Sequence, residues 1–170
     1  MKKIITLFLL VLSITFTLSS CNLKNLPYNM PLDFNFSITF GTYGISSYDS
    51  KTGILIKDKN ATNPLDYTTT CHLSDENLKT IYKLIYKLNI NFYPDEFPNG
   101  SFAISSPYMK LSLSVSTDAY SKTINADNVG YGSARSIRGQ IYLNTINEIK
   151  NIITATKEWK ALPDYEFYYD

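Results

Sequence analysis

Strict alternation of apolar and polar residues predicts β-strands at several places in the chain. In the stretch DFNFSITF, residues 33–40, every second residue is Phe or Ile, and the residues between them are Asn, Ser or Thr. A period of two with aromatic and β-branched residues is typical of a half-buried strand. The stretch ISSYDSKTGILIKD, residues 45–58, predicts a hairpin whose turn ends at Gly53, a residue that tolerates a positive φ. The same pattern predicts further strands over 66–73, 109–117 and 121–126.

Two other segments have the spacing of amphipathic helices. Ser74 is a good N-cap for the first, and the two acids after it suit the positive end of the helix dipole. Its apolar residues recur at i, i+3, i+4, i+7 and i+10, and Asn89 to Asn91 end it. A second helix is predicted over 134–156. The expected buried stripes are Leu78, Ile81, Tyr82, Ile85 and Leu88 in the first helix, and Ile137, Ile141, Ile146, Ile149 and Ile153 in the second.

The order of these elements predicts an α+β fold. Strands with short connections favour antiparallel hairpins over parallel crossovers, and helices then cover one side of such a sheet. We therefore expect a single antiparallel sheet with two amphipathic helices packed on one face, formed by residues 33–170. The tail DYEFYYD, residues 164–170, alternates again and predicts a terminal edge strand or an aromatic flap.

The N-terminus has the layout of a secretory signal. Lys2 and Lys3 precede an apolar run, residues 4–18, that several Ser and Thr residues interrupt. Two positive charges followed by about 15 mostly apolar residues are typical of an export signal. A stable transmembrane helix needs about 20 apolar residues, so the run is short for one.

The end of that run, Leu18, Ser19, Ser20 and Cys21, resembles the lipobox of bacterial lipoproteins. In that family the cysteine thiol is linked to diacylglycerol, and a dedicated peptidase then cuts just before it. The resemblance implies a signal peptide over 1–20 and lipidation of Cys21. The alternative is an ordinary cleaved signal with an incidental thiol. Each buried CH₂ contributes about 0.8 kcal/mol, so two acyl chains hold a protein durably on a membrane.

This interpretation places the protein in the cell envelope. We expect it on the cell membrane, facing the extracellular side, or in the periplasm or outer membrane if the host has two membranes. Residues 21–32, with two prolines and no period, are interpreted as a lipidated tether that extends at most about 35 Å. The chain has 16 Lys and Arg against 15 Asp and Glu, and loss of Lys2 and Lys3 leaves a formal charge of −1. A chain with so little net charge shows no sign of the basic surface that nucleic-acid binding requires.

The sequence contains no recognisable catalytic or cofactor motif. Cys71 and His72 are adjacent, but neighbours on a strand point to opposite faces, so Cys71 is expected to be a core residue. His72 is the only histidine and, with Cys21 lipidated, Cys71 is the only free cysteine, which is too few ligands for a zinc site. The adjacent acids Asp95 and Glu96 are expected to be solvated, since paired catalytic carboxylates come from opposing walls of a cleft.

Aromatic residues in a long proline-rich loop are the best candidate for a binding surface. The loop spans residues 91–107, and loops of this length are usually functional or mobile. Tyr and Phe on ordered loops make a contact surface that loses little entropy. The alternative is that most of these rings pack onto the sheet. The candidates are Tyr93, Phe97, Phe102 and Tyr108, with Tyr165, Tyr168 and Tyr169 of the tail.

Several segments, among them Tyr67–Thr70, Tyr93–Asp95 and Glu158–Tyr165, resemble uncharacterised small lipoproteins of low-GC Gram-positive bacteria. This resemblance implies a shared fold and carries no activity. We therefore expect a lipid-anchored, non-enzymatic binding or interaction module without a cofactor. Its partners would be the membrane, through Cys21, and an envelope protein or glycan. The alternatives are a small inhibitor of an envelope enzyme and an envelope hydrolase that uses Asp95 or Glu96.

Overall fold

The computed structural model describes residues 25–97, 109–127 and 136–167. This part of the chain forms six strands, two long helices, one short helix and two 3₁₀ turns. The strands are β1 (Asn35–Phe40), β2 (Ser46–Asp49), β3 (Ile54–Ile56), β4 (Thr68–Thr70), β5 (Lys110–Thr117) and β6 (Tyr120–Asp127). The helices are α1 (Asp75–Leu88), α2 (Ile137–Thr154) and α3 (Lys157–Ala161), and the 3₁₀ turns are Pro64–Tyr67 and Ile90–Phe92.

The strands form one antiparallel sheet in the order β4-β3-β2-β1-β5-β6. Ile38 in β1 lies opposite Tyr48 in β2 on one side and Leu113 in β5 on the other. All three side chains are buried, and their polar neighbours along each strand point to the opposite face. The expected α+β fold is therefore confirmed, and β1 lies inside the sheet.

Helix α1 follows its predicted pattern closely. The Ser74 hydroxyl accepts a hydrogen bond from the Asn77 amide at 3.2 Å, as expected of an N-cap. Asn89 ends the helix in the left-handed conformation, with φ of 53°. The predicted apolar stripe faces the sheet, and the Tyr82 ring packs edge-on against Phe34 with 4.8 Å between centroids. The buried residues of the stripe are Ile81, Tyr82, Ile85 and Leu88.

The stripe predicted for α2 is wrong at its N-terminal end. Ile137 is 80% exposed and Ile141 is 48% exposed. With 100° per residue, they lie about 140° and 100° around the helix axis from Tyr142. Tyr142 is fully buried, and its hydroxyl donates to the Ile124 carbonyl at 3.2 Å. The buried face consists of Gly139, Tyr142, Thr145, Ile146, Ile149 and Ile153.

The strand predicted over 66–73 is shorter than expected. Residues 64–67 form a 3₁₀ turn that starts at Pro64, whose fixed φ suits the first position of a helical turn. Only Thr68–Thr70 pair with β3. After them, the Cys71 amide donates to the Gly53 carbonyl at 2.7 Å, which closes the hairpin against the loop before α1.

The N-terminal segment contacts the domain from Asn25 onward, although its sequence was interpreted as a tether through residue 32. Leu26 is buried in the core cluster. The Tyr82 hydroxyl donates to the Pro27 carbonyl, and the Asn91 side chain donates to that of Asn25. These contacts hold the segment against the C-terminal end of α1.

The two ends of α2 provide a test of its buried face. We expect Ile149→Ala to lower the free energy of unfolding by about 2–5 kcal/mol, because it leaves a cavity in the core. Ile137→Ala, the same change in the same helix, is expected to alter it by less than about 0.5 kcal/mol because that side chain is exposed. Urea unfolding followed by circular dichroism measures both. Equal losses at the two positions would contradict the assigned face.

Candidate ligand cavity beside Trp159

A cavity of about 500 Å³ opens between the sheet and the C-terminal half of α2. Its floor is the end of β1 and the start of β5. The apolar part of its lining is Phe40, Met109, Leu111, Leu143, Trp159 and Tyr165, and the polar part is Asn147, Lys150 and Thr154. Aromatic and aliphatic walls with a few polar groups are the usual make-up of a small-molecule site.

The helical spacing of α2 places one wall of this cavity. Leu143, Asn147, Lys150 and Thr154 follow each other at intervals of four, three and four residues, so they share one side of the helix. This side adjoins the buried face of α2. Lys150 is half-buried and Asn147 is exposed. The wall therefore changes from apolar at Leu143 to polar at the amide and ammonium groups.

Trp159 forms the second wall. The Thr156 hydroxyl caps α3 and accepts a hydrogen bond from the Trp159 amide at 3.3 Å. The indole packs against Phe40, with 5.7 Å between ring centroids and 33° between ring planes. The short helix thus brings the single Trp of the chain onto the apolar end of β1.

Lys57 lies behind the aromatic wall and is only 7% exposed. Its ammonium nitrogen is 5.7 Å from the ring centroids of both Trp159 and Tyr165. Two aromatic faces at this distance attract a cation through their quadrupoles. The nitrogen also donates to the Leu162 carbonyl at 3.3 Å and lies 3.6 Å from the Asp164 carboxylate. The lysine therefore connects both rings to the chain that follows α3.

Tyr165 closes one side of the cavity through a buried serine. The Ser46 hydroxyl donates to the Lys57 carbonyl at 2.6 Å, and the Tyr165 hydroxyl lies 2.9 Å from the same Ser46 oxygen. A hydroxyl has one proton to donate, so Tyr165 is the donor to Ser46. Burial raises the pKa of Tyr165. The phenol is therefore protonated at neutral pH, as this hydrogen bond requires.

Glu166 fastens the tail to the loop after β3. Its carboxylate accepts hydrogen bonds from the Thr62 amide and the Thr62 hydroxyl, each at 2.5 Å. Its amide donates at 3.2 Å to the buried carboxylate of Asp58, which also accepts from the Asn60 amide. The described part of the predicted tail, Asp164–Phe167, is held by side chains and forms no strand. Tyr168 and Tyr169 lie outside the described residues.

Two of the loop aromatics proposed as a binding surface are buried. Tyr93 and Phe97 pack around Tyr142, with ring centroids 5.9 and 5.3 Å from it. Their own centroids are 5.9 Å apart. The alternative that these rings pack against the core therefore describes both of them. Phe102 and Tyr108 lie outside the described residues, as do Leu18, Ser19, Ser20 and Cys21.

The other candidates for chemistry lie apart from the cavity. Cys71 belongs to the core, as expected, and burial raises the pKa of its thiol, which lies 3.7 Å from a Glu158 oxygen. His72 is exposed. Asp95 and Glu96 are both exposed, and Asp95 pairs with Lys122. Within 25–97, 109–127 and 136–167, no three His, Cys, Asp or Glu side chains come together as a metal site.

Sequence reasoning missed this cavity because its lining comes from five separate segments. The available signal for the site was the single tryptophan, Trp159, just before the tail sequence LPDYEF. A large aromatic ring directly after a helix needs an apolar surface to pack on. The residue pattern around β3 does not indicate that the Lys57 ammonium group lies near the Trp159 and Tyr165 rings.

No protein-family model matches the chain, and no curated protein matches it. In the part of the chain that the structure describes, no helix has both the length and the apolar character needed to cross a membrane.

The two hydrogen bonds from Thr62 to the Glu166 carboxylate, which we call the clasp, are expected to depend on pH. The two hydrogen bonds from Thr62 lower the pKa of Glu166 below its ordinary value. A depressed pKa means that the clasp is fully formed above the ordinary glutamate pKa of about 4.3 and is lost as the pH falls through the lower, folded value. We expect the Thr62 amide resonance in NMR spectra to titrate with a midpoint below about 4.3.

Glu166→Gln is the matched control, because it keeps the size of the side chain and removes its titration. The Thr62 resonance should then show no acid transition in this range. A midpoint at or above the ordinary glutamate value in the unmodified protein would contradict the clasp.

Proposed function

We propose that this protein is a lipid-anchored lipoprotein of the cell envelope whose folded domain is a non-enzymatic binding module. The anchor is the lipid on Cys21, and the domain faces the extracellular side of the cell membrane. In a host with two membranes it faces the periplasm or lies at the outer membrane. Support for the anchor comes from the sequence, in which a charged start, an apolar run and the order Leu18, Ser19, Ser20, Cys21 occur together.

The cavity beside Trp159 is the observation that supports binding. A volume of about 500 Å³ lies within the 300–1,000 Å³ that is usual for small-molecule sites. Its two aromatic walls, Trp159 and Tyr165, are held by Lys57 and Ser46 before any ligand enters. A site formed in advance loses less entropy on binding.

The lining indicates the class of ligand. Met109, Leu143 and Trp159, none of them fully buried, offer an apolar surface for a hydrocarbon or a flat ring, and the polar lining includes Asn147 and Lys150. We infer a small envelope molecule with an apolar body and an anionic or hydrogen-bonding group. Such a molecule could be a free compound or an apolar side group of a larger envelope component.

An aromatic anion is a suitable probe of this site. We expect 1-anilinonaphthalene-8-sulfonate to bind with energy transfer from Trp159, the only tryptophan. Asn147→Phe places a ring in the cavity and should abolish the transfer. Lys150→Met should weaken binding by about two- to fivefold, the equivalent of 0.5–1 kcal/mol for a partly exposed charge.

Asn144→Phe is the matched control, since Asn144 is exposed on the same helix and does not line the cavity. It should leave both affinity and energy transfer unchanged. If the probe bound equally well to the Asn147→Phe protein, the cavity would not be the binding site.

A further inference from the structure

Several exposed apolar side chains gather at one end of the domain, where α1 ends and α2 begins. Tyr28 is 81% exposed and packs edge-on against the exposed Tyr86 ring, with 5.8 Å between centroids. Phe92 is 60% exposed, and its carbonyl accepts a hydrogen bond from the Arg138 side chain at 3.0 Å. Ile137, the exposed first residue of α2, is next to Arg138. We call Tyr28, Tyr86, Phe92 and Ile137 the anchor face.

The N-terminal segment leads directly to this face. Asn25 and Leu26 line a cleft with Tyr86, Ile90 and other residues at the end of α1. Only three residues separate Cys21 from Asn25. Four residue steps reach at most about 14 Å. A lipid on Cys21 would therefore hold the bilayer surface within that distance of Asn25.

Two basic side chains lie beside the anchor face. Lys87, in the last turn of α1, and Arg138, at the start of α2, are both exposed. Two acids, Asp33 and Asp118, contact each other, where the Asp33 carboxylate accepts a hydrogen bond from the Asp118 amide. Aromatic rings beside basic side chains are the usual composition of surfaces that lie in the headgroup region.

We propose that the anchor face lies against the bilayer that holds the Cys21 lipid, with the rings of Tyr28 and Phe92 in the headgroup region. This inference rests on the proposed lipid anchor. It makes the anchor a means of orientation as well as attachment, because the short distance from Cys21 to Asn25 and the exposed rings place the same end of the domain at the membrane.

The orientation places the cavity away from the membrane. Phe34, just before β1, contacts Tyr82, whose hydroxyl holds the N-terminal segment at Pro27. Phe40, at the other end of β1, lines the cavity. Six residues of strand span about 20 Å. In this orientation the Phe40 end of β1, and the cavity with it, lies about 20 Å along the strand from the end that packs on Tyr82.

Depth-dependent quenching tests this orientation. The mature lipidated protein, in a Trp159→Phe background, is incorporated into phosphatidylglycerol and phosphatidylcholine vesicles with brominated acyl chains. Phe92→Trp places the single tryptophan in the anchor face. Leu65→Trp is the matched control, because Leu65 is 79% exposed and lies in the 3₁₀ turn whose Tyr67 carbonyl binds the Lys57 amide, at the cavity end.

We expect strong quenching and a blue-shifted emission for Phe92→Trp, and neither for Leu65→Trp, because interfacial side chains enter about 5–10 Å into the boundary region. Equal quenching at the two positions, or none at position 92 in protein that floats with the vesicles, would overturn the orientation and leave the anchor intact. Protein that does not float would refute the lipid anchor, and the orientation with it.

Discussion

The fold depends on burial of the apolar face that β1 forms with its neighbours β2 and β5. Phe36, Ile38 and Phe40 project from β1 toward the same side as Tyr48 and Leu113, and this surface is far too apolar to face water. Burial of each such side chain stabilises the folded state by about 1.5–3 kcal/mol. The chain meets this constraint with two helices that cross the same face in opposite directions. The other face keeps its hydroxyl and amide side chains in contact with solvent.

The cavity is a gap between α2 and this face of the sheet. Helix α2 lines one side of it, and the end of β1 and the start of β5 line another. Trp159 and Tyr165 fill only the sides of the gap, and both depend on Lys57, which is buried between their rings. Burial of this sheet face therefore forms the core and also leaves the cavity beside Trp159, whose lining is partly polar. The clasp of Glu166 on Thr62 keeps the tail in place as one side of that space.

Most of the fold could be predicted from local periodicity, because the strands and α1 follow it. The prediction failed at Ile137 and Ile141 because α2 carries isoleucines on more than one side, so more than one buried face fits its sequence. Tyr142, whose hydroxyl donates to the Ile124 carbonyl, lies on the face that is buried. The candidate site could not be predicted in this way. Its walls join Phe40, Leu143 and Trp159, which are far apart in sequence, and the loop rings that stood out, Tyr93 and Phe97, are core residues.

The central claim, a lipid-anchored module that holds a small ligand beside Trp159, is tested most directly by native mass spectrometry of the mature protein extracted from its own membranes. The account predicts a polypeptide that begins at Cys21 and carries a diacylglyceryl group. It also predicts an additional non-covalent mass that is retained by the unmodified protein and absent from Asn147→Phe. A mature chain without lipid, or the same bound mass in both proteins, would contradict the account.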